Sequence, residues 1–328
     1  MQSRTLSRRR LGRTGKMVSV LGHGLWGMGD WSDASDTQSQ TALTQSADAG
    51  CSFYDSAWAY GNGHSDKLLG GLLSARQQNG ILAGSKVPPK NLQWPATSAY
   101  RYEDVFPFEH VIAYAERSRE AMGVETIDLL QLHVWDDSWT AHPGFERTVK
   151  HLKDTGLISA FGLSLNRWEP ENGIQAVETG LIDTVQVIYN IFDQAPEDKL
   201  FPICEQHDVG VIARVPLDEG SLGGNLTLDT RFPEGDFRAM YFGPENLPET
   251  VERVEQLKEA VPAGMSLPEM AIRFILSHKV VSTIAIGMRK SQHIEANIVS
   301  AERGALPDEV ITMLRDHRWD RTPTAWSG

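Results

Sequence analysis

The length, composition and charge of the chain exclude several classes of protein. The chain has 328 residues, 41% of them hydrophobic, and its 31 basic and 43 acidic side chains give a formal net charge of −12. An acidic protein repels phosphate backbones, so we expect no nucleic-acid partner. No run of about 18 apolar residues occurs, so we expect no membrane span. The cysteines Cys51 and Cys204 are too few for a disulfide framework and lack metal-ligand neighbours, which favours a reducing cytoplasm and no metal site.

The basic residues cluster only at the start of the chain, in MQSRTLSRRRLGRTGK. This pattern can be read as a twin-arginine export signal. The apolar run that follows is short and glycine-rich, and no small-residue cleavage site follows it. We therefore disfavour export and expect a cytoplasmic protein.

Apolar runs alternate with helix-period segments along the whole chain. Short apolar strands that do not alternate with polar residues, each followed by a helix, predict a parallel sheet buried on both faces. Eight such units predict an α/β protein, a closed (β/α)8 TIM barrel, which we expect to form a single domain over residues 1–328. The predicted strands are 18–24, 52–56, 81–87, 127–134, 158–164, 183–189, 209–215 and 281–287, and the predicted helices are 36–49, 64–79, 108–122, 143–155, 170–180, 196–208, 246–260, 266–278, 290–301 and 307–318.

Two connections are long and should lie at the C-terminal face of the barrel. Residues 88–107 are rich in proline and aromatic residues, and residues 216–245 are rich in glycine and proline. Loops of this length inside a compact domain usually cover or bind a ligand. The tail HRWDRTPTAWSG forms either a third flap or a frayed end.

Ionisable residues end three consecutive predicted strands. Asp55, Lys86 and His133 stand at these ends, and Tyr60 follows Asp55 in the same loop. The C-terminal ends of barrel strands form the active site, so these side chains should converge. A neighbouring ammonium lowers a tyrosine pKa from its usual value of about 10. We expect Asp55 to support Lys86, Lys86 to lower the pKa of Tyr60, and Tyr60 to protonate a carbonyl oxygen that His133 orients.

Each of these residues also has an ordinary structural interpretation. Lys86 alone fits a solvated rim residue, His133 alone fits a rim or core histidine, and Asp55 alone fits a helix cap. Their joint placement on consecutive strand ends favours the catalytic interpretation. The segment from Gly22 to Gly27 formally matches GxGxxG, but no helix follows it at once, so we predict a tight strand-end loop instead of a dinucleotide fingerprint.

The chain resembles the aldo-keto reductase superfamily over nearly its whole length, and most of all the branch that includes potassium-channel beta subunits and sugar or pyridoxal reductases. The family's tetrad of Asp, Tyr, Lys and His falls on Asp55, Tyr60, Lys86 and His133. The segments that carry the resemblance are LGRTGKMVSVLGHGLWGMG, FYDSAWAYGNGHSDKLLG, SKV, IDLLQLHVWD, GLISAFGLS, PLDEGSLGG and IGMRKSQHIEAN.

The resemblance implies an NADPH-dependent reductase of aldehydes or ketones, with the cofactor extended across the barrel mouth. The family's Ser–Asn pair reads Ser164-Leu165-Asn166 here, and the pyrophosphate is expected along the loop from Leu217 to Gly220. Arg289 is expected to pair with a 2′-phosphate, which favours NADPH over NADH. The implied cofactor contacts are Gly24, Leu25, Trp26, Asp55, Ser164, Asn166, Gln186, Arg214, Pro216, Leu217, Glu219, Gly220, Gly287, Met288, Arg289, His293 and Asn297.

The sequence departs from the family pattern at two positions. Arg214 stands where relatives carry an aromatic residue that stacks on the nicotinamide, and His293 stands where relatives often carry Arg or Gln. The planar guanidinium of Arg214 can stack on a ring or bind a carboxylate or phosphate of the substrate. We expect an aromatic pocket for a small carbonyl substrate, formed by Trp26, Trp58, Trp94 and Trp135, although each indole could also pack on the rim.

Three other functions remain open at this point. Some relatives oxidise sugars as aldose dehydrogenases, and potassium-channel beta subunits bind the cofactor but serve mainly as partner proteins. A barrel glycosidase would need two carboxylates about 5–10 Å apart at the mouth. Asp136 and Asp137 share one loop and lack a partner at another strand end, which disfavours that function. A homo-oligomer is compatible with the sequence.

Overall fold

A closed barrel of eight parallel strands forms the centre of the protein. The computed structural model describes residues 6–29 and 35–324. Each barrel strand pairs with the next one along the chain, and the last strand closes onto the first. The predicted (β/α)8 barrel is therefore confirmed. Its strands are β3 (Leu21–Gly24), β4 (Phe53–Asp55), β5 (Leu82–Val87), β6 (Ile127–Leu132), β7 (Ile158–Ser164), β8 (Thr184–Ile188), β9 (Gly210–Arg214) and β10 (Val281–Gly287).

Helices surround the barrel and largely follow the predicted pattern, but two short helices in the long connections, Tyr102–Val105 and Phe237–Tyr241, were not predicted, and the helix predicted over 196–208 runs only from Leu200 to Gln206. The segment predicted over 170–180 is helical only from Ile174 to Glu178, and the last α-helix ends at Leu314 in a 3-10 turn, Arg315–His317. No helix in the described part of the chain is both long and apolar enough to cross a membrane. The helices are α1 (Asp36–Asp48), α2 (His64–Arg76), α3 (Tyr102–Val105), α4 (Phe108–Met122), α5 (Pro143–Asp154), α6 (Ile174–Glu178), α7 (Leu200–Gln206), α8 (Phe237–Tyr241), α9 (Leu247–Glu259), α10 (Leu267–Ser277), α11 (Ser291–Glu302) and α12 (Asp308–Leu314).

An antiparallel hairpin that the sequence did not predict precedes the barrel. Its strands are β1 (Arg8–Arg10) and β2 (Met17–Ser19), so the single strand predicted over 18–24 is divided in two. Leu11 and Val18 are completely buried in one apolar cluster with residues from inside the barrel. The hairpin therefore closes the N-terminal end of the barrel, opposite the expected site.

Two arginines of the basic cluster, Arg9 and Arg10, bind this hairpin to the rest of the protein. The guanidinium of Arg9 donates to the backbone carbonyl oxygens of Leu276, His278 and Val281 at 2.6, 3.0 and 2.7 Å. Arg10 forms a bidentate ion pair with Asp208, with both N–O distances 2.6 Å. These contacts give the arginines a structural role that an export signal would not require.

A glycine makes the close approach of the hairpin possible. Gly12 has a φ of +49°, and a Cβ built there would lie 2.1 Å from the backbone nitrogen of Gly210. A side chain at this position would overlap the start of β9 and would also disfavour the left-handed backbone.

Alternation along the strands determines which residues reach the barrel mouth. Phe53, Leu82 and Leu129 belong to the apolar cluster in the interior. Side chains at even spacing along a strand point to the same face. The residues two and four positions later, which include Asp55, Lys86 and His133, therefore also point inward, closer to the C-terminal end.

Candidate active site

Lys86 forms the centre of the candidate site. The residue is completely buried, and its Nζ donates to Oδ2 of Asp55 and to the backbone oxygen of Ser56, both at 2.8 Å. A third, longer contact of 3.4 Å joins Nζ to the hydroxyl of Tyr60. Burial disfavours the ammonium, but Asp55 and Tyr60 outweigh that effect and raise the pKa of Lys86 above its usual value. Lys86 is therefore a fixed positive charge beside the Tyr60 hydroxyl.

The net effect on Tyr60 differs from the sequence-based expectation. Burial raises the pKa of Tyr60, Lys86 lowers it, and Asp55 raises it again, so that the net change is upward. Lys86 lowers the pKa of Tyr60 as expected, but burial raises it by more. The expectation of a lowered pKa is therefore wrong, because it considered the charge of Lys86 without the loss of solvent around the phenol.

His133 lies against two aromatic rings at the mouth. Its ring centroid is 5.6 Å from that of Tyr60 and 4.7 Å from that of Trp94, both in edge-to-face geometry. Burial, together with the charges of Lys86 and Arg214, lowers the pKa of His133 well below its usual value. The imidazole is therefore neutral at pH 7. Trp94 belongs to the long 88–107 loop, so this loop reaches over the site as expected.

Of the residues expected around the nicotinamide, Gln186 and Asn166 already have hydrogen-bond partners within the protein. Ser164 ends β7, pairs in register with Gln186 on β8, and is buried. The Nε2 of Gln186 donates to Oδ1 of Asp55 at 2.9 Å, which extends the network around Lys86 by one residue. The amide nitrogen of Asn166 donates to Ala96 O at 2.9 Å and to Glu169 at 2.8 Å. Asn166 thus ties the loop after β7 to the 88–107 loop.

Arg214 ends β9 and lies inside the charged network of the site. Its Nη2 donates to the backbone oxygen of Leu165 at 3.0 Å, and its buried Nε has no hydrogen-bond partner among residues 6–29 and 35–324. Burial, together with the nearby charge of Arg167, lowers the pKa of Arg214 to about 10, although Glu219 and Tyr60 oppose this change. Arg214 remains a cation at pH 7.

The loop after β9 begins with an irregular turn. Asp218 and Glu219 both have left-handed backbones, with φ values of 44° and 54°, and Gly220 follows with a φ of 106°. Oε1 of Glu219 forms an ion pair with Nη2 of Arg167 at 2.6 Å, and Asp218 is completely buried. Pro216 and Leu217 precede this turn. The loop expected to hold the pyrophosphate is therefore a fixed structure.

The residues expected at the adenosine end form a basic group on the rim. The side chain of Arg289 runs beside Gly27, and the charges of Arg289 and Lys290, after burial, contribute to a lowered pKa of His293. Gly287 is exposed and pairs in register with Gly24. Three further expected contacts, Leu25, Met288 and Asn297, are buried, so Leu25 and Met288 can offer only backbone atoms.

The four tryptophans expected in the substrate pocket do not share one environment. Trp26 and Trp94 are exposed, and Trp58 packs edge-to-face on Tyr114 at 5.7 Å. Trp135 is completely buried, and its Nε1 donates to Oδ1 of Asp137 at 2.7 Å. Trp135 therefore belongs to the core and presents no surface to a substrate, contrary to expectation. Its position just after β6 suggested a rim residue, but the indole turns outward between the barrel and its helices.

The sequence did not predict two arginines that lie at the site. Arg167 pairs with Glu219, and Arg321, in the tail, pairs with Asp218 and Asp193. The only available signal was the excess of acids, Asp218 and Glu219, in a loop expected to bind phosphates. Such an excess requires cations from elsewhere, but the sequence does not show which ones.

The site suits an anionic dinucleotide. Arg214 and His133 each have a buried ring or guanidinium nitrogen without a partner in the described structure, and Arg289 and Lys290 place positive charges at one end of the mouth. Ser164 lies near the tetrad and can offer its hydroxyl to a carboxamide. The residues present therefore fit a nicotinamide cofactor.

Comparison with known proteins agrees with this geometry. The family model described as "Aldo/keto reductase family" matches residues 20–318. Pyridoxal 4-dehydrogenase from Microbacterium luteolum is 26% identical, with 96% of this chain and 98% of that protein covered. A probable voltage-gated potassium channel subunit beta from Oryza sativa is 25% identical, with coverage of 88% and 89%. The holo form of aldo-keto reductase AKR11C1 from Bacillus halodurans superposes with a TM-score of 0.77 at 23% identity, covering 98% and 100% of the two chains. The chain belongs to the aldo/keto reductase family and is an NAD(P)H-dependent oxidoreductase.

Proposed function

We propose that this protein reduces an aldehyde or ketone to an alcohol with NADPH, and that Tyr60 donates the proton. The observation that carries the proposal is the sequence of contacts from Asp55 through Lys86 to the Tyr60 hydroxyl, at 2.8 and 3.4 Å. NADPH supplies the hydride when bound. The chain's own residues supply the proton and the site for the carbonyl oxygen.

Tyr60 suits the role of an acid. Its raised pKa keeps the hydroxyl protonated at neutral pH, so the group enters the reduction with a proton to give. Proton transfer leaves a phenolate, which the ammonium of Lys86 stabilises in a site with little water. Asp55 keeps Lys86 charged and in place.

His133 suits the role of a hydrogen-bond donor without charge. Because its pKa is lowered, the ring stays neutral and carries one N–H. A neutral donor orients a carbonyl oxygen without competing with Tyr60 as an acid. Trp94 packs against this ring and limits the directions from which a substrate can approach.

The basic group on the rim supports NADPH over NADH. Arg289 and Lys290 create a positive field, which adds to burial in lowering the pKa of neighbouring His293. A 2′-phosphate is a dianionic ligand that an arginine binds well. We expect Arg289→Ala to weaken NADPH binding at least tenfold and NADH binding less than threefold. Equal losses for both nucleotides would contradict the preference.

The oxidative direction is the second candidate. The relative from Microbacterium luteolum is named a dehydrogenase, and the same acid–base group serves both directions of a reversible transfer. A sugar or other alcohol would then be the substrate. A third role, that of a cofactor-binding partner protein, draws on the potassium-channel relative.

One set of measurements separates these functions. Fluorescence titration gives the Kd for NADPH and NADH, and absorbance at the nicotinamide band follows turnover with aldehydes, ketones and sugars in both directions. Tyr60→Phe should lower kcat by about 10²–10⁴ with little change in nucleotide Kd. Tyr54→Phe is the matched control, because the hydroxyl of this buried tyrosine contacts Ser46 on helix α1.

The outcomes have distinct meanings. Tyr60→Phe at the wild-type rate would exclude Tyr60 as the donor. Turnover only with alcohols and the oxidised cofactor would favour the dehydrogenase direction. Tight nucleotide binding without turnover on any substrate would favour the partner role, and failure to bind either nucleotide would exclude all three functions.

A further inference from the structure

Two consecutive carboxylates stand in the 217–220 loop, where the family resemblance implies that the diphosphate of the cofactor lies. Asp218 and Glu219 both have positive φ values, 44° and 54°. Residues with a side chain keep such backbones only when their surroundings fix them. Two negative charges beside a diphosphate would also repel it. The loop therefore needs both a mechanical restraint and compensating positive charge.

Arg167, in the loop after β7, both restrains Glu219 and compensates its charge. The ion pair is 2.6 Å long, and the two side chains are only 9% and 7% exposed. The Arg167 guanidinium lies 5.0 Å from the ring centroid of Tyr241 and 5.7 Å from that of Phe237. This arginine is fixed by aromatic rings on one side and by Glu219 on the other.

Arg321, 103 residues later in the chain, restrains Asp218 and compensates its charge in the same way. Nη2 of Arg321 donates to Oδ1 of Asp218 at 2.8 Å, and the arginine side chain is 3% exposed. Nη2 also pairs with Asp193, and Nη1 donates to the hydroxyl of Tyr241 at 2.9 Å. Burial would raise the pKa of Asp218, but Arg321, with help from Ser221, holds it below its usual value.

Contacts with the rest of the protein hold the tail that carries Arg321 over residues 318–321, so the alternative of a frayed end is wrong for these residues. The backbone nitrogen of Trp319 donates to the oxygen of Phe192 at 2.8 Å. The indole of Trp319 lies 4.6 Å from the Arg321 guanidinium and 4.4 Å from that of Arg253. Arg318 pairs with Asp198 on the surface at 2.6 Å. The tail thus delivers one buried cation to the cofactor loop.

We propose that Arg321 is a positioning residue for the cofactor: through Asp218 it holds the 217–220 loop in its binding conformation and cancels the charge that would repel the diphosphate. The C-terminal tail therefore sets nucleotide affinity, although it contributes no group to the Asp55–Tyr60–Lys86–His133 tetrad. This inference rests on the proposed function, the binding of NADPH, with its diphosphate at the expected position along the 217–220 loop.

The first experiment measures the NADPH Kd of Arg321→Gln and its matched control, Arg318→Gln. Both substitutions remove a tail arginine that pairs with two carboxylates, but the partners of Arg318 are the exposed Asp198 and Asp320. We expect Arg321→Gln to raise the Kd at least tenfold, mainly through faster dissociation, and Arg318→Gln to change it less than twofold. A folded Arg321→Gln protein with the wild-type Kd would overturn the inference.

The second experiment separates charge cancellation from general loss of structure. Asp218→Asn combined with Arg321→Gln removes the loop charge that Arg321 would cancel, while Asp193 is unchanged in both variants, so the double variant should bind NADPH at least threefold more tightly than Arg321→Gln alone. A double variant that binds more weakly would overturn the charge argument. If Arg321→Gln does not fold, Arg321→Lys replaces it. We expect its Kd to be two- to tenfold above wild type, because one ammonium cannot reproduce the separate contacts of Nη1 with Tyr241 and of Nη2 with Asp218; a wild-type Kd in this variant would equally overturn the inference.

The third experiment uses the protein without nucleotide. Amide hydrogen exchange in the 215–224 segment should be at least tenfold faster in Arg321→Gln, while the strands of the barrel keep the wild-type exchange rate. Unchanged exchange in this segment would overturn the positioning role even if the wild type bound no nucleotide. Failure of the wild type to bind NADPH or NADH would instead contradict the proposed function.

Discussion

Nζ of Lys86 lies 2.8 Å from Oδ2 of Asp55, and both residues are almost entirely buried, at 0% and 4% exposure. A buried ion pair of this kind stabilises a fold little compared with an apolar pair of the same size, because both charges lose their hydration. Its presence at the barrel mouth is explained by chemistry: it keeps a permanent ammonium beside the hydroxyl of Tyr60.

Removing one partner of this pair should be costly. Lys86→Met leaves Asp55 buried without its cation, and we expect a loss of about 3–5 kcal/mol in the free energy of unfolding. Urea denaturation measures the loss, and Asp55→Asn combined with Lys86→Met should recover part of it. Lys199→Met, which breaks the exposed pair with Glu171, is the control and should cost less than about 1 kcal/mol. A loss in Lys86→Met no larger than the control would show that the pair is solvated.

The hairpin that closes the barrel depends on Gly12. We expect Gly12→Ala to lower the free energy of unfolding by more than about 3 kcal/mol, because its Cβ would overlap the backbone of Gly210 in addition to the left-handed strain. Gly15→Ala is the control: Gly15 has a φ of +69°, but a Cβ there meets nothing within 4 Å. Thermal or urea unfolding compares the two, and equal losses would show that only the backbone angle matters.

His23 should make the protein less stable in acid. Burial lowers the pKa of His23 to about 3, whereas the unfolded chain binds the proton near pH 6.5. Between these values the unfolded state holds more protons, so the free energy of unfolding falls as pH falls, by about 1.4 kcal/mol per pH unit for this group. His23→Asn should reduce the slope of the unfolding free energy against pH by the equivalent of about one proton, or about 1.4 kcal/mol per pH unit, between pH 6 and 4.

A second variant distinguishes the titration from the loss of a contact. Nδ1 of His23 lies 2.9 Å from Oγ of Ser46. Ser46→Ala should lower stability at every pH but keep the slope, because the buried histidine remains. An unchanged slope in His23→Asn would show that other groups cause the acid dependence.

The barrel and the convergence of Asp55, Tyr60, Lys86 and His133 were predictable because both depend on local sequence. Each barrel strand is a short apolar run, and Asp55, Lys86 and His133 occur at or just beyond the ends of such runs. The hairpin was missed because β1 consists of three arginines, whose partners are backbone carbonyls far along the chain. The support of the cofactor loop was missed for the same reason: Arg321 and Asp218 are 103 residues apart, and no local pattern indicates their contact.

Burial caused the two errors about the site itself. The charge of Lys86 was visible in the sequence, but the extent of burial that raises the pKa of Tyr60 was not. The position of Trp135 after β6 was also visible, but the direction of its indole was not. Both depend on how the helices and loops pack around the strand ends, which the periodicity of the sequence does not determine.

Trp94 and Trp135 should therefore respond differently to substitution. Trp94→Ala removes the exposed ring that packs on His133 and that we expect to contact the substrate. The loss of an aromatic contact with the substrate, worth about 0.5–1.5 kcal/mol, should raise KM for an aldehyde about two- to twelvefold. Trp135→Phe removes the donor to buried Asp137 and should cost about 1–3 kcal/mol in the free energy of unfolding, with KM unchanged. Steady-state kinetics and urea unfolding on both variants test the assignment. A raised KM with wild-type stability in Trp135→Phe would place this indole at the substrate after all, because only a ring that touches the substrate changes binding without changing the core.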